Sequence, residues 1–319
     1  MEMSVLTRYC SARVLLGLLL LLALVSAKGG GDTEPQFVTC LEECNNTTCL
    51  SPPTLPLALR LTFWSCESNC KYTCMRDITE KTREAGDTVV QYYGKWPFVR
   101  ALGMQEPASV TFSILNGWAH WRHWKLIKTE VPGDYFLKKF YYAFVIVGMN
   151  TWLWSAVFHT RDNSVTEKFD YFSAALTVMY GLYLALLRIN YVRSLKKQLQ
   201  LGILLLIPYF LHISYLSFFK FDYDYNMWAN VFVGILHNLA WGYWSVTNPD
   251  HPYRWEPLKC GLFVTIAMSL ELFDFPPIME VFDAHSLWHA ATIFIWFLWY
   301  RFLILDSQWE VVTSLPKKI

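Results

Sequence analysis

Seven runs of apolar residues constrain this chain more than any other feature. They cover residues 98–121, 140–158, 171–187, 199–219, 227–246, 258–273 and 286–305. A helix rises 1.5 Å per residue, so about 20 apolar residues cross a hydrocarbon core of roughly 30 Å. Arg100, Glu106 and Pro107 interrupt the first run, and the sixth is short and contains Glu271. The chain is 54% hydrophobic and only 17% charged, where globular chains average about a quarter charged. A formal net charge of +1 gives no basis for binding nucleic acid. The pattern predicts an all-α membrane protein, a seven-transmembrane helix bundle.

The segments around the bundle differ in kind. Residues 1–27 read as a secretory signal peptide, with Arg8 and Arg13 before an apolar core and Val25-Ser26-Ala27 as a cleavage site; a retained signal anchor is the alternative. Residues 28–97 hold Cys40, Cys44, Cys49, Cys66, Cys70 and Cys74. Six cysteines in a small luminal module suggest disulfides, although they allow 15 pairings and a zinc knot is conceivable. The near-mirror spacing suggests two antiparallel helices joined as Cys40 to Cys74, Cys44 to Cys70 and Cys49 to Cys66. Asn45 and Asn46 head overlapping N-glycosylation sequons. Residues 98–305 form the expected catalytic bundle and residues 306–319 a cytosolic tail.

Orientation follows from the basic residues. With the amino terminus luminal, seven crossings leave the carboxy terminus cytosolic. The expected cytosolic segments and their flanks carry 14 Lys and Arg, the short luminal loops only 3. That asymmetry matches the excess of basic residues in cytoplasmic loops.

This topology gathers the chemistry-bearing residues in one layer. His285 and His289 are four apart, so a helix puts both imidazoles on one face. Ser155 and His159 share a face in the same way near the luminal end of the second run, and Asp170 opens the third. Three imidazoles with one open position suit a catalytic zinc, which acidifies water and polarises a carbonyl. Asp170 could accept and return a proton. Ser155 could hydrogen-bond the water or a developing oxyanion. Asp283 could receive an imidazole N–H, or be a solvated loop carboxylate. The bland alternative has the histidines hydrogen-bonded to neighbouring helices. His120, His123, His212, His237 and His251 read as packing or interface residues, as does Cys260.

These spacings resemble the signature of the CREST superfamily of seven-helix zinc hydrolases. Gly94-Lys-Trp-Pro-Phe98, Gln105-Glu-Pro-Ala-Ser109, Phe158-His-Thr-Arg-Asp162, Phe221-Asp-Tyr-Asp-Tyr-Asn226, Leu272-Phe-Asp-Phe-Pro-Pro277 and Asp283-Ala-His285 resemble its PER-like branch of post-GPI-attachment, GPI-specific phospholipase A2-like proteins. The resemblance implies removal of the sn-2 acyl chain from the phosphatidylinositol of GPI-anchored proteins. It also implies His159, His285 and His289 as zinc ligands, and residence in the Golgi membrane, with the ER as the alternative. A ceramidase-like sphingolipid amide hydrolase and a non-enzymatic seven-helix receptor or chaperone with structural zinc are the competing readings.

Overall fold

The computed structural model describes residues 30–51 and 54–314. The expected signal peptide and the end of the expected tail lie outside the described residues. Among the described residues, ten α-helices follow a single 3-10 turn: α1 (Pro35–Thr47), α2 (Leu57–Leu61), α3 (Cys66–Glu84), α4 (Pro107–Glu130), α5 (Lys138–Thr160), α6 (Ser164–Ile189), α7 (Leu195–Phe218), α8 (Tyr223–Thr247), α9 (Glu256–Phe273) and α10 (Ala284–Ser314). Among the described residues β structure is limited to isolated bridges that close turns.

The chain divides into two compact units, one of residues up to Val99 with Met268–Leu287, the other of Arg100–Ala267 with the chain from Trp288 onward. Helices α9 and α10 are continuous across the division.

In the first unit α1 and α3 are stapled by disulfides Cys40–Cys74, Cys44–Cys70 and Cys49–Cys66, the nested order that the spacing suggests. Phe37, Ile78 and Tyr92 fill the space beside them. A core this small cannot hold a fold by burial alone, so covalent staples take over part of that role. Ser65 and Ser68 cap α3 reciprocally, which fixes where the second cysteine group starts. The same unit grips the segment before α10. Arg76 and Arg83 both pair with Glu280, Asp274 accepts hydrogen bonds from Gln91 and Trp96, and the Val99 N–H donates to the Glu280 carbonyl at 3.0 Å. At the end of α1, Asn45 is half-buried and Asn46 exposed.

Every expected run falls largely within one of the long helices α4 to α10, which lie wholly or mostly in the second unit. Four of these, α5, α6, α7 and α10, are long and apolar enough to cross a membrane. Helix α4 is less apolar because one face is polar: Ser109, Ser113, Asn116, His120 and His123 recur at helical spacing and are all buried. The helix limits differ from the apolar runs because caps set them. Pro107 occupies the first turn of α4, so residues 98–106 lie outside the helix. Asn163 accepts from the Val165 and Thr166 N–H groups and starts α6 well before the run at 171. Helix α10 continues past position 305, because Asp306 is wholly buried and receives a two-pronged hydrogen bond from Arg188 at 2.7 and 2.8 Å. Arg188, one of the basic residues counted to the expected cytosolic segments and their flanks, is itself buried.

Close helix packing rests on small residues. A Cβ built on Gly148 of α5 would overlap the His120 ring of α4, and that ring is fully buried and hydrogen-bonded to the Tyr300 hydroxyl at 2.7 Å. Gly148→Ala should therefore lower stability by about 1–3 kcal/mol through overpacking, read as a drop in the thermal midpoint in detergent. An unchanged midpoint would show that the ring can move aside.

Candidate metal centre

The chemistry is built where α5 ends and α4 and α10 begin. The N–H groups of Gln105 and Glu106 donate to the carbonyls of Thr160 and His159, each at 3.0 Å. This pairing brings the start of α4 against the last turn of α5. His159 is buried there, and its Nδ1 lies 2.6 Å from Glu106 Oε2. A carboxylate can only accept, so Nδ1 carries the proton and donates it. The lone pair of His159 is then on Nε2.

The tautomer of His289 is set in a similar way. Its Nδ1 is 3.0 Å from Ser113 Oγ. Ser113 gives its one proton to the Ser109 carbonyl at 2.7 Å, so His289 Nδ1 must be the donor. Ser155 Oγ lies 3.0 Å from Ser113 Oγ and must donate as well, which leaves the Ser155 oxygen with lone pairs to accept. Asn116 fixes the backbone: its Nδ2 donates to the His289 carbonyl at 2.8 Å, and Thr292 Oγ1 donates to Asn116 Oδ1 at 3.1 Å. The His159 and His289 rings meet edge to face, with centroids 5.0 Å apart, and Trp152 packs edge-on against His289.

His285 is one turn before His289 on α10, so the helix itself sets the spacing of the two rings. His159, His285 and His289 each offer a ring nitrogen, and the three nitrogens lie within 4.8 Å of one another. Neutral imidazoles on that scale are a donor set for one divalent ion of the zinc type. A second close group, Cys49, Cys66 and Cys70, is not such a set, since each sulfur is already in a disulfide.

The remaining expected residues fall as follows. Asp170 is in the second turn of α6 rather than at its start, and is half-buried. Below it, Thr151 Oγ1 donates to the Ser173 carbonyl and meets Thr177 Oγ1. With α5 and α6 antiparallel, that register sets Asp170 level with Ser155, one turn above Thr151. Asp283 caps α10: its Oδ1 accepts the Ser286 N–H at 2.9 Å, and Ser286 Oγ accepts the Asp283 N–H at 3.0 Å. Sequence reasoning missed Glu106, Ser113 and Asn116. Glu106 reads in sequence as a break in an apolar run. The signal available was the polar stripe on α4, with Ser109, Ser113, Asn116 and His120 at spacings of four, three and four.

Comparison with known proteins places this geometry in context. Residues 56–307 match the model of the Per1-like family. The chain is similar to the "Protein PER1 homolog" of Schizosaccharomyces pombe, 39% identical over 88% of each chain. It is also similar to the "GPI-specific phospholipase A2-like PGAP3" of Danio rerio, 38% identical over 93% of this chain and 96% of the relative. The protein of the same name from Homo sapiens is 36% identical, over 92% and 94%. No solved structure matches the chain.

The Glu106 contact predicts a graded effect. Glu106→Gln keeps an acceptor for His159 but removes its charge, and partners of this kind are worth about 10- to 100-fold in metal affinity. Zinc affinity by chelator competition should fall by that factor, and an unchanged affinity would contradict the role given to Glu106.

Proposed function

Because this chain belongs to the Per1-like family, we propose that it is a membrane-embedded, zinc-dependent phospholipase A2-type hydrolase that removes the sn-2 acyl chain from the phosphatidylinositol of GPI-anchored proteins. Its relatives are named GPI-specific phospholipase A2-like, and four of its helices have the length and hydropathy of membrane spans. The reading takes α4 to α10 as seven crossings, with the first unit luminal, the carboxy terminus cytosolic and the Golgi membrane as the site of action. The observation that carries it is the cluster of three imidazoles, His159, His285 and His289, whose ring nitrogens lie within 4.8 Å of one another, with the Nδ1 atoms of His159 and His289 held by Glu106 and Ser113.

In this account His159, His285 and His289 hold zinc. When bound, zinc supplies Lewis acidity toward an ester carbonyl and lowers the pKa of water. The chain's own residues do the rest. Glu106 and Ser113 keep the imidazoles in the ligating tautomer and orientation. Asp170 takes the proton from the attacking water and returns it to the departing lyso-lipid oxygen. Ser155, its proton committed to Ser113, accepts a hydrogen bond from that water and aims it. The ester C–O bond breaks, water adds to the acyl carbon, and a free fatty acid and a lyso-lipid result. A sphingolipid amidase would use the same layer, but the relatives' printed names favour the GPI substrate.

Lipid mass spectrometry of GPI anchors from cells lacking the protein tests the substrate and the residues together. Anchors should keep an unsaturated sn-2 chain, wild type should remove it, and His285→Ala and Asp170→Asn should each fail to. Purified Asp170→Asn should retain about one zinc, which His285→Ala should not. Anchor lipids indifferent to the protein would defeat the substrate assignment, and loss of zinc in Asp170→Asn would move Asp170 into the ligand set.

A further inference from the structure

Of the seven non-glycine residues at positive φ among the described residues, Tyr93 (φ 52), Leu102 (φ 51) and Met279 (φ 54) each sit in a turn closed by an isolated bridge. Each turn is closed by facing residues, Tyr92 with Lys95, Ala101 with Met104, and Ile278 with Phe282. Left-handed positions in tight turns favour Gly, Asn or Asp, which carry no steric cost there or can hydrogen-bond to their own backbone. Tyr93 has local compensation, because its ring meets Phe37 edge-on and lies under the Lys71 ammonium. Leu102 and Met279 stand 81% and 83% exposed. A turn facing water gains nothing from leucine or methionine at such a tip.

Their places in the chain point to what they face. Leu102 is five residues before Pro107, where α4 begins, and Met279 five residues before Ala284, where α10 begins. Five residues reach about 17 Å at full extension, so neither tip can leave the vicinity of the helix start it precedes. Both starts belong to the histidine layer: Glu106 pairs with His159, and His285 is in the first turn of α10. Among the described residues of the second unit the three most exposed large apolar side chains are Leu102, Phe218 and Phe219. Phe218 and Phe219 close α7, a helix of membrane-span length. Tyr209 on α7 donates to the Phe172 carbonyl near the start of α6, so α7 ends on the side where α6 begins and α5 ends, the His159 side.

We propose that the side chains of the turn tips Leu102 and Met279 each reach into the acyl boundary of the lipid leaflet, Leu102 together with Phe218 and Phe219 of its own unit, and so hold the helix start that each tip precedes at the depth of a lipid ester. The inference rests on reading α5, α6, α7 and α10 as membrane spans, and it deepens the proposed hydrolysis by saying how the layer is held at that depth. Large apolar side chains at left-handed turn tips then have a solvent that favours them, while the turn backbone stays among the headgroups.

Nitroxide labels test this on the full chain. Leu102→Cys and Met279→Cys, with Asp87→Cys on an exposed turn as the aqueous reference, are each made with Cys10 and Cys260 replaced by alanine and reconstituted into phosphatidylcholine–phosphatidylinositol vesicles. Power saturation compares collisions with oxygen, which concentrates in lipid, and with a water-soluble nickel chelate. Positions 102 and 279 should favour oxygen severalfold, and position 87 the chelate. Chelate access at 102 or 279 like that at 87 would overturn the proposal. So would shielding of either position from both reagents, which would mean that a protein surface or a second copy of the chain covers the tips. The measurement needs neither turnover nor bound metal, so its failure is separate from failure of the hydrolase reading.

Discussion

A carboxylate sealed inside an apolar bundle is the constraint from which the rest of this structure follows. Glu106 is buried, and taking a charge out of water is costly unless donors meet it. His159 supplies one, and the backbone pairing of residues 105 and 106 with the end of α5 keeps the two side chains in reach. The arrangement orients one imidazole and fixes the height at which α4 enters the bundle. That height then governs every polar contact farther down α4.

Those contacts form a ladder. Ser113 receives His289 and Ser155, Asn116 grips the backbone at His289, and His120 meets Tyr300, so α4 touches α10 through polar groups over several turns. Within a membrane, polar side chains have few other partners, and helices that share them are held in one register. At the opposite end of α10, Arg188 and Asp306 do the same between α6 and α10. A helix pinned at both ends presents His285 and His289 with little freedom to slide.

Much of this was legible in the sequence, for reasons of periodicity. The His285–His289 and Ser155–His159 pairs repeat at a helical turn, and near-mirror cysteine spacings match two antiparallel helices. What stayed hidden depended on contacts distant in sequence. Glu106 lies 53 residues from His159 and Ser113 176 residues from His289, and each looks in isolation like a blemish in an apolar run. Helix limits were displaced where caps decided them, at Pro107 and Asn163, because apolar runs report lipid or core contact and not where backbone hydrogen bonding starts. Arg188 and Asp306 are 118 residues apart in sequence, and only their mutual burial and hydrogen bonding show that they form a pair.

The central claim, that three imidazoles from two helices surround one ion, has a direct spectroscopic test. Zinc-edge X-ray absorption on the purified full-length protein should show three imidazole nitrogens at about 2.0–2.1 Å, with the remaining scatterer an oxygen and no sulfur near 2.3 Å. Sulfur in the shell, fewer than three imidazoles, or protein that takes up no metal would contradict it.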